Sequence, residues 1–156
     1  MPETSRENSV HLSLFPDVSQ YHLADDLIAK WEMLVVLKGE MSKALELCRK
    51  DKVIGHSLDA VLQLVLPENI RAVLKNNFEN NLKYIFIVSE VELVDSLNNE
   101  TGVFKSEVLE GVQALPKRLG GQKCERCWNY FLESAKTTKH TNICPRCVKN
   151  LQSATA

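Results

Sequence analysis

Four cysteines near the C-terminus, Cys124-x2-Cys127 and Cys144-x2-Cys147, are the residues whose type and spacing carry chemistry, and 16 residues separate the two pairs. Zn²⁺ takes four soft or borderline ligands in a tetrahedron, with Zn–S distances of about 2.3 Å. A Cys-x-x-Cys turn offers two sulfurs from one side, and a second such turn closes the shell from the other. With all four positions filled by protein none is left for water, so the metal expected is one structural Zn²⁺. Two disulfides, or idle thiols, are the competing use of the same residues. The N-terminal residues do not read as a secretory leader, and Cys48 is the one other cysteine. Both features favour thiolate ligands in a reducing compartment.

The neighbours of these cysteines are basic and aromatic. From Leu115 onward eight basic residues (Lys117, Arg118, Lys123, Arg126, Lys136, Lys139, Arg146, Lys149) are opposed only by Glu125 and Glu133, a balance of +6. The first 114 residues carry 11 basic and 18 acidic groups, or −7, so the overall −1 hides a strong asymmetry. Four thiolates around Zn²⁺ contribute −2, leaving the loaded module at about +4. A compact basic module on an acidic body suits a polyanion such as nucleic acid. A merely solvated, lysine-rich surface is the plainer reading. RNA loops expose unstacked bases that proteins capture by aromatic or guanidinium stacking plus phosphate contacts. Trp128, directly after the second cysteine, is the candidate platform for such a base, and equally a cover for the zinc cluster. Arg126 and Arg146 lie one inside each Cys-x-x-Cys turn, placed for phosphate contact or for balancing thiolate charge. Lys123 and Lys139 are further phosphate candidates, whereas Tyr130 reads as packing.

The elements that must position these residues follow from pattern. A chain of 156 residues that is 44% apolar and 25% charged is globular in composition and long enough for a core. No apolar run approaches the roughly 20 residues that span a bilayer, so a soluble, cytoplasmic protein is expected. Residues 1–20 are polar and irregular, with a hydrophobic tag, Val10-His11-Leu12-Ser13-Leu14-Phe15-Pro16. From His22 to Lys50, Leu23, Leu27, Trp31, Leu34, Met41, Leu45 and Cys48 recur at helical spacing. This predicts one helix of roughly 40 Å, with Trp31 and Cys48 in the core, a bend or close contact at Gly39 and a stop at Gly55. Residues 58–66 are expected to form a strand. A short helix after Pro67 carries Ile70, Val73 and Leu74 inward. Tyr84-Ile85-Phe86-Ile87-Val88 reads as a buried strand or a helix-to-strand passage, extended by 91–94. Asn98-Asn99-Glu100-Thr101-Gly102 reads as a turn, and 103–114 as a weakly patterned strand.

Three short strings invite a catalytic reading. Ile54-Gly55-His56 resembles part of the His-Ile-Gly-His signature of class I aminoacyl-tRNA synthetases, but Val53 stands at the first histidine. Met41-Ser42-Lys43 resembles the middle of their Lys-Met-Ser-Lys-Ser loop, yet lies inside the expected helix. Met1-Pro2-Glu3 resembles the N-terminal proline nucleophile of zinc-finger DNA glycosylases, whose finger shares the cysteine spacing. That finger ordinarily has a small residue after the second cysteine, an arginine before the third and a glutamine after the fourth. Here Trp128, Lys139 and Val148 hold those places.

A longer resemblance covers nearly the whole chain. Val10-His11-Leu12 with Phe15-Pro16, Trp31 followed by Lys43-Ala44-Leu45-Glu46, Ile54-Gly55-His56-Ser57-Leu58-Asp59-Ala60 and Phe86-Ile87-Val88-Ser89 come first. Gly121-Gln122-Lys123-Cys124-Glu125-Arg126-Cys127-Trp128-Asn129-Tyr130, His140 and Ile143-Cys144-Pro145-Arg146-Cys147 follow. In this order they resemble the C-terminal region of bacterial-type isoleucyl-tRNA synthetases. The resemblance implies an α+β protein in three parts. Residues 1–55 would end a helical anticodon-binding domain, 56–115 form a small mixed α/β junction unit, and 116–156 form a four-Cys zinc finger. It also implies isoleucine tRNA, through its anticodon arm, and the synthetase's catalytic domain as partners, with no catalytic residue in this chain. The complete enzyme edits mischarged valine, because one methylene discriminates weakly by binding alone. A glycosylase-like DNA-binding protein and a zinc-stabilised interaction module are the alternatives.

Overall fold

The computed structural model describes residues 7, 9–15, 17–19, 21–78, 81–97, 100–132 and 140–153. Its longest element is helix α1, Asp25–Lys50, of 26 residues. Asp25 and Asp26 in the first turn complement the positive end of the helix dipole, and Asp26 pairs with Lys30 at 2.9 Å. From Leu34 onward α1 contributes to the core: Leu34, Leu37, Met41, Ala44, Leu45 and Cys48 are buried in one cluster with the sheet. The Cys48 thiol donates to the Pro116 carbonyl at 3.4 Å.

The start of the predicted helix, up to Trp31, departs from expectation. Leu23, Leu27 and Ile28 are exposed, and Trp31 is 47% exposed, meeting Phe78 edge-on with ring centroids 5.3 Å apart. Helical periodicity marks a face able to be buried, and among the described residues only Phe78 meets Trp31 on this stretch by ring contact. The helix also ends five residues before Gly55. Val53 N–H donates to Cys48 O at 3.1 Å and Lys52 N–H to Arg49 O at 3.0 Å. Lys52, at φ 57°, takes the left-handed position that glycine usually fills in this motif.

Gly55 and His56 instead donate their backbone N–H groups to Asp59 Oδ2, at 3.2 and 2.9 Å. Leu58 N–H donates back to His56 Nδ1 at 3.1 Å, closing a reciprocal cap on the 3₁₀ turn Ser57–Asp59. Ile54-Gly55-His56 is therefore a turn that feeds the first strand. Met41 is core, the Ser42 hydroxyl donates to Lys38 O, and Lys43 pairs with Glu40 at 2.6 Å. Both synthetase-like strings serve structure here.

Strand β1, Ala60–Val65, leads through Pro67 into α2, Glu68–Phe78, whose Ile70 and Leu74 point into the core. Residues 84–88 are not a strand. They belong mostly to a short helix α3, Leu82–Phe86, capped by Ile87 at φ 58°. Phe86 and Val88 are buried while Tyr84 and Ile87 are exposed, so an all-apolar run here splits between two faces. Strand β2, Glu90–Leu93, then lies parallel to β1, completing a right-sized β-helix-β crossover. The weak strand expected at 103–114 resolves into two antiparallel strands, β3, Phe104–Lys105, and β4, Gln113–Arg118. The mixed sheet runs β2-β1-β4-β3, with β4 antiparallel to β1. Position 115, where the junction unit is expected to end, thus falls inside β4. Ala60, Leu62 and Leu64 turn to the shared core, and Glu90 and Glu92 on β2 alternate outward from Val91 and Leu93.

The last three elements form the cysteine module: a two-strand ribbon of β5, Gln122–Lys123, and β6, Tyr130–Phe131, followed by α4, Pro145–Ser153. Its core is a second cluster of Cys124, Phe131, Cys144 and Cys147. Fold class α+β, with long helix, mixed sheet and clustered cysteines, stands as the sequence indicates.

Candidate metal centre

Each cysteine is presented by a backbone turn whose residues explain it. In the β5–β6 connection, Cys124 N–H donates to Asn129 O and Trp128 N–H to Cys124 O, both at 2.9 Å. This knuckle turns Cys124 and Cys127 inward and forces Trp128 to φ 66°. On the other side Pro145 opens α4 at the position where a missing N–H costs nothing, putting Cys144 just before the helix and Cys147 in its first turn. Glu125 N–H donates to Asn142 O at 3.1 Å and Asn142 Nδ2 to Glu125 Oε1 at 3.2 Å, tying the two turns together. Gly121, at φ 117°, lets the ribbon close: a Cβ there would lie 2.4 Å from Phe131 O.

All four sulfurs lie within 4.8 Å of one another, and Cys127 and Cys144 are 3.7 Å apart. A tetrahedral site with Zn–S bonds of about 2.3 Å requires sulfurs roughly 3.8 Å apart, so the set fits one structural Zn²⁺. One donor, Cys124, is prepared for charge. Burial works against ionising Cys124, yet backbone N–H groups of Cys144, Cys127 and Arg126 outweigh it and hold its pKa at about 6. Cys144 N–H reaches the Cys124 sulfur at 3.3 Å. Without metal, burial pushes the Cys127 thiol up to about 12. A thiolate at Cys124 would offer a divalent cation its first ligand, and because thiolates are the zinc ligands, metal binding by the set releases protons.

The nucleic-acid candidates fall in two places. Trp128 is 60% exposed, and Lys123 Nζ sits 5.5 Å from its ring centroid, so an indole and an ammonium share one surface of the ribbon. Arg126 is exposed on the same knuckle. Arg146 is elsewhere: its guanidinium lies 5.0 Å from the centre of the Tyr84 ring, where the module meets the sheet. Tyr84 and Cys127 favour the charged form of Arg146 and outweigh the effect of its partial burial. Lys139 lies outside the described residues, as does Pro2. Tyr130 is half-buried, as packing requires, but its backbone also serves. Tyr130 N–H donates to Ser89 Oγ at 2.7 Å, and Ser89 Oγ donates to Leu58 O at 2.5 Å.

Ser89, 2% exposed, therefore fastens the cysteine module to the sheet, and Tyr84 gives Arg146 its seat. Neither is evident from the sequence: Tyr84 lies in an apolar run and Ser89 is an isolated hydroxyl. Gly121, three residues before the first candidate zinc ligand Cys124, carries the visible signal of a close backbone approach. Among the described residues no helix is long and apolar enough to cross a membrane.

Residues 121–150 match the zinc finger found in FPG and IleRS. Nearly the whole chain is similar to isoleucine–tRNA ligases. That of Geobacter sulfurreducens is 39% identical over 152 residues, covering 94% of this chain and 16% of the relative. That of Natranaerobius thermophilus is 36% identical over 155 residues, covering 96% and 16%. That of Kosmotoga olearia is 30% identical over 154 residues, covering 97% and 16%. The chain thus spans about 16% of the length of these curated relatives.

Proposed function

We propose that this chain is the C-terminal, tRNA-binding portion of an isoleucine–tRNA ligase. In this reading the zinc module holds the anticodon arm of isoleucine tRNA, while a catalytic domain outside these 156 residues performs the ATP-dependent charging. Residues 1–55 contribute the end of a helical anticodon-binding domain, 56–115 the junction, and 116–156 the zinc module. No group in this chain is assigned a catalytic role.

The observation that carries the reading is Trp128. The zinc knuckle holds its backbone in a strained left-handed conformation, and its indole stands in solvent with Lys123 over the ring. Burial alone does not call for an exposed tryptophan on a fixed turn, whereas a splayed RNA base does. Lys123 and Arg126 then meet phosphates around the stacked base, Lys139 is a further phosphate contact, and the basic balance of the C-terminal module favours the approach of RNA. Arg146 divides its charge between the thiolate cluster and the RNA.

The test is to titrate the zinc-loaded chain with isoleucine tRNA and with an anticodon-swapped version at two salt concentrations. Salt should weaken both, because phosphate neutralisation releases counterions. A preference for the native anticodon that disappears in Trp128→Ala supports the reading. Equal, weak binding to both RNAs returns the chain to a zinc-stabilised interaction module. Borohydride trapping on lesion-containing DNA through Pro2 would favour the glycosylase alternative.

A further inference from the structure

Between the cysteine module and the outer side of β2 lies a cleft of about 480 Å³, within the size range of small-ligand sites. It does not contain Trp128. Tyr84 and Tyr130 give it aromatic wall, and Leu119 and Phe131 add apolar surface. The Arg146 guanidinium lies 5.0 Å and the Lys83 ammonium 5.6 Å from the Tyr84 ring centre, so two cations sit against that ring. Glu90 and the Asn129 amide also line the cleft. Glu92 lines it too, but already accepts from Gln63 Nε2 at 2.8 Å. Among the described residues the Glu90 carboxylate and the Asn129 side-chain amide have no hydrogen-bond or ion-pair partner.

We propose that this cleft is a second base-binding site, taking one unstacked nucleobase that carries an exocyclic amino group. The inference rests on the RNA-binding reading above and adds a site and a base preference to it. The chemistry is that of a flat aromatic ligand with polar edges and an anionic tether. Tyrosine and guanidinium planes accept the face of a base, and the cations beside them meet its phosphate. A carboxylate only accepts hydrogen bonds, so Glu90 suits the amino groups of cytosine, adenine or guanine. Uracil has only carbonyl oxygens flanking its N3–H and would set an oxygen against the carboxylate. Asn129, both donor and acceptor, satisfies the remaining edge. The site is fixed in place because Ser89 ties Tyr130 to Leu58, joining the two walls.

The experiment measures binding of fluorescein-labelled hexaribonucleotides of A, C or U to the zinc-loaded chain by anisotropy, alongside isoleucine tRNA. Oligo(A) and oligo(C) are expected to bind roughly 5- to 100-fold more tightly than oligo(U), the range that base-edge hydrogen bonds supply. Glu90→Gln, on an exposed side chain, should collapse that ratio, since an amide can donate to uracil. Trp128→Ala should weaken all three and leave the ratio intact. Zinc content and circular dichroism check that each variant is folded. Equal binding of the three oligonucleotides, or an unchanged ratio in Glu90→Gln, overturns the cleft. So does failure of every oligonucleotide with a protein that binds tRNA. If neither tRNA nor oligonucleotide binds, the RNA-binding reading itself falls, and the cleft with it.

Discussion

The φ of 66° at Trp128 places an indole on a backbone conformation that glycine adopts without cost. Backbone and side chain can therefore be tested apart. Trp128→Gly should leave zinc affinity unchanged or slightly higher, because it relieves the turn. It should weaken RNA binding by the about 1–3 kcal/mol of a base–aromatic stack. Competitive zinc chelation and RNA titration of the same variant measure both. Gly121 is the opposite case. A methyl group there meets the Phe131 carbonyl at 2.4 Å on a backbone that resists any side chain. Gly121→Ala should displace β5 from β6 and lower zinc affinity, read by the same chelator competition. The cysteine pairs were legible as a site from spacing alone, since metal geometry dictates it. The fit of Ser89 and Tyr84 to the module was not, because neither residue type has a spacing rule.

Helix α1 holds two different situations in one regular element. Leu37 is fully buried beneath the sheet, whereas Val35 is 65% exposed. Leu37→Ala should cost about 2–5 kcal/mol in chemical denaturation, while Val35→Ala should stay within about 0.5 kcal/mol. On the same helix the Lys43 ammonium and the Ser106 hydroxyl hold the buried Glu40 carboxyl below the usual carboxylate range, although burial opposes them. Its folded pKa is lowered, so its contribution to stability is complete above the unfolded value of about 4.3. That contribution is lost as the pH falls through the lower folded value. Thermal melts should therefore fall more steeply between pH 6 and pH 3 for the native chain than for Glu40→Gln. The sequence makes the helix legible through its period and hides which half is covered. Periodicity records a face, and coverage depends on what else the chain, or a partner, brings to it.

Over the whole molecule two cores share one chain. The larger joins α1 from Leu34 onward to the mixed sheet and the short helices, and the smaller consists chiefly of the zinc ligands with Phe131. The smaller has little apolar surface of its own, so metal binding supplies much of its folding free energy. Removing zinc with a strong chelator should expose the amides of Cys124, Phe131 and Val148 to hydrogen exchange while those of Leu37 and Leu62 stay protected. Loss of protection throughout would instead show that the two cores unfold as one unit. The contacts that cross between them, Ser89 with Tyr130 and Tyr84 with Arg146, should then weaken as zinc leaves.

The amino-acid sequence by itself determined the metal donors, the long helix, the α+β class and the likeness to isoleucyl-tRNA synthetases. Each rests on local chemistry or fixed spacing: cysteine pairs three residues apart, apolar residues three and four apart, an extended run of matching motifs. Only the tertiary structure decided that residues 84–88 divide between helix and turn, and that 103–114 belongs to two strands. It alone decided that Trp31 lies open and that Glu90 and Asn129 face one cleft. Those outcomes depend on which surfaces meet across the chain, such as Ala60 with Arg118 and Ser89 with Tyr130. Such pairings are chosen by competition among distant faces for burial and hydrogen bonds, which no local window of residues contains.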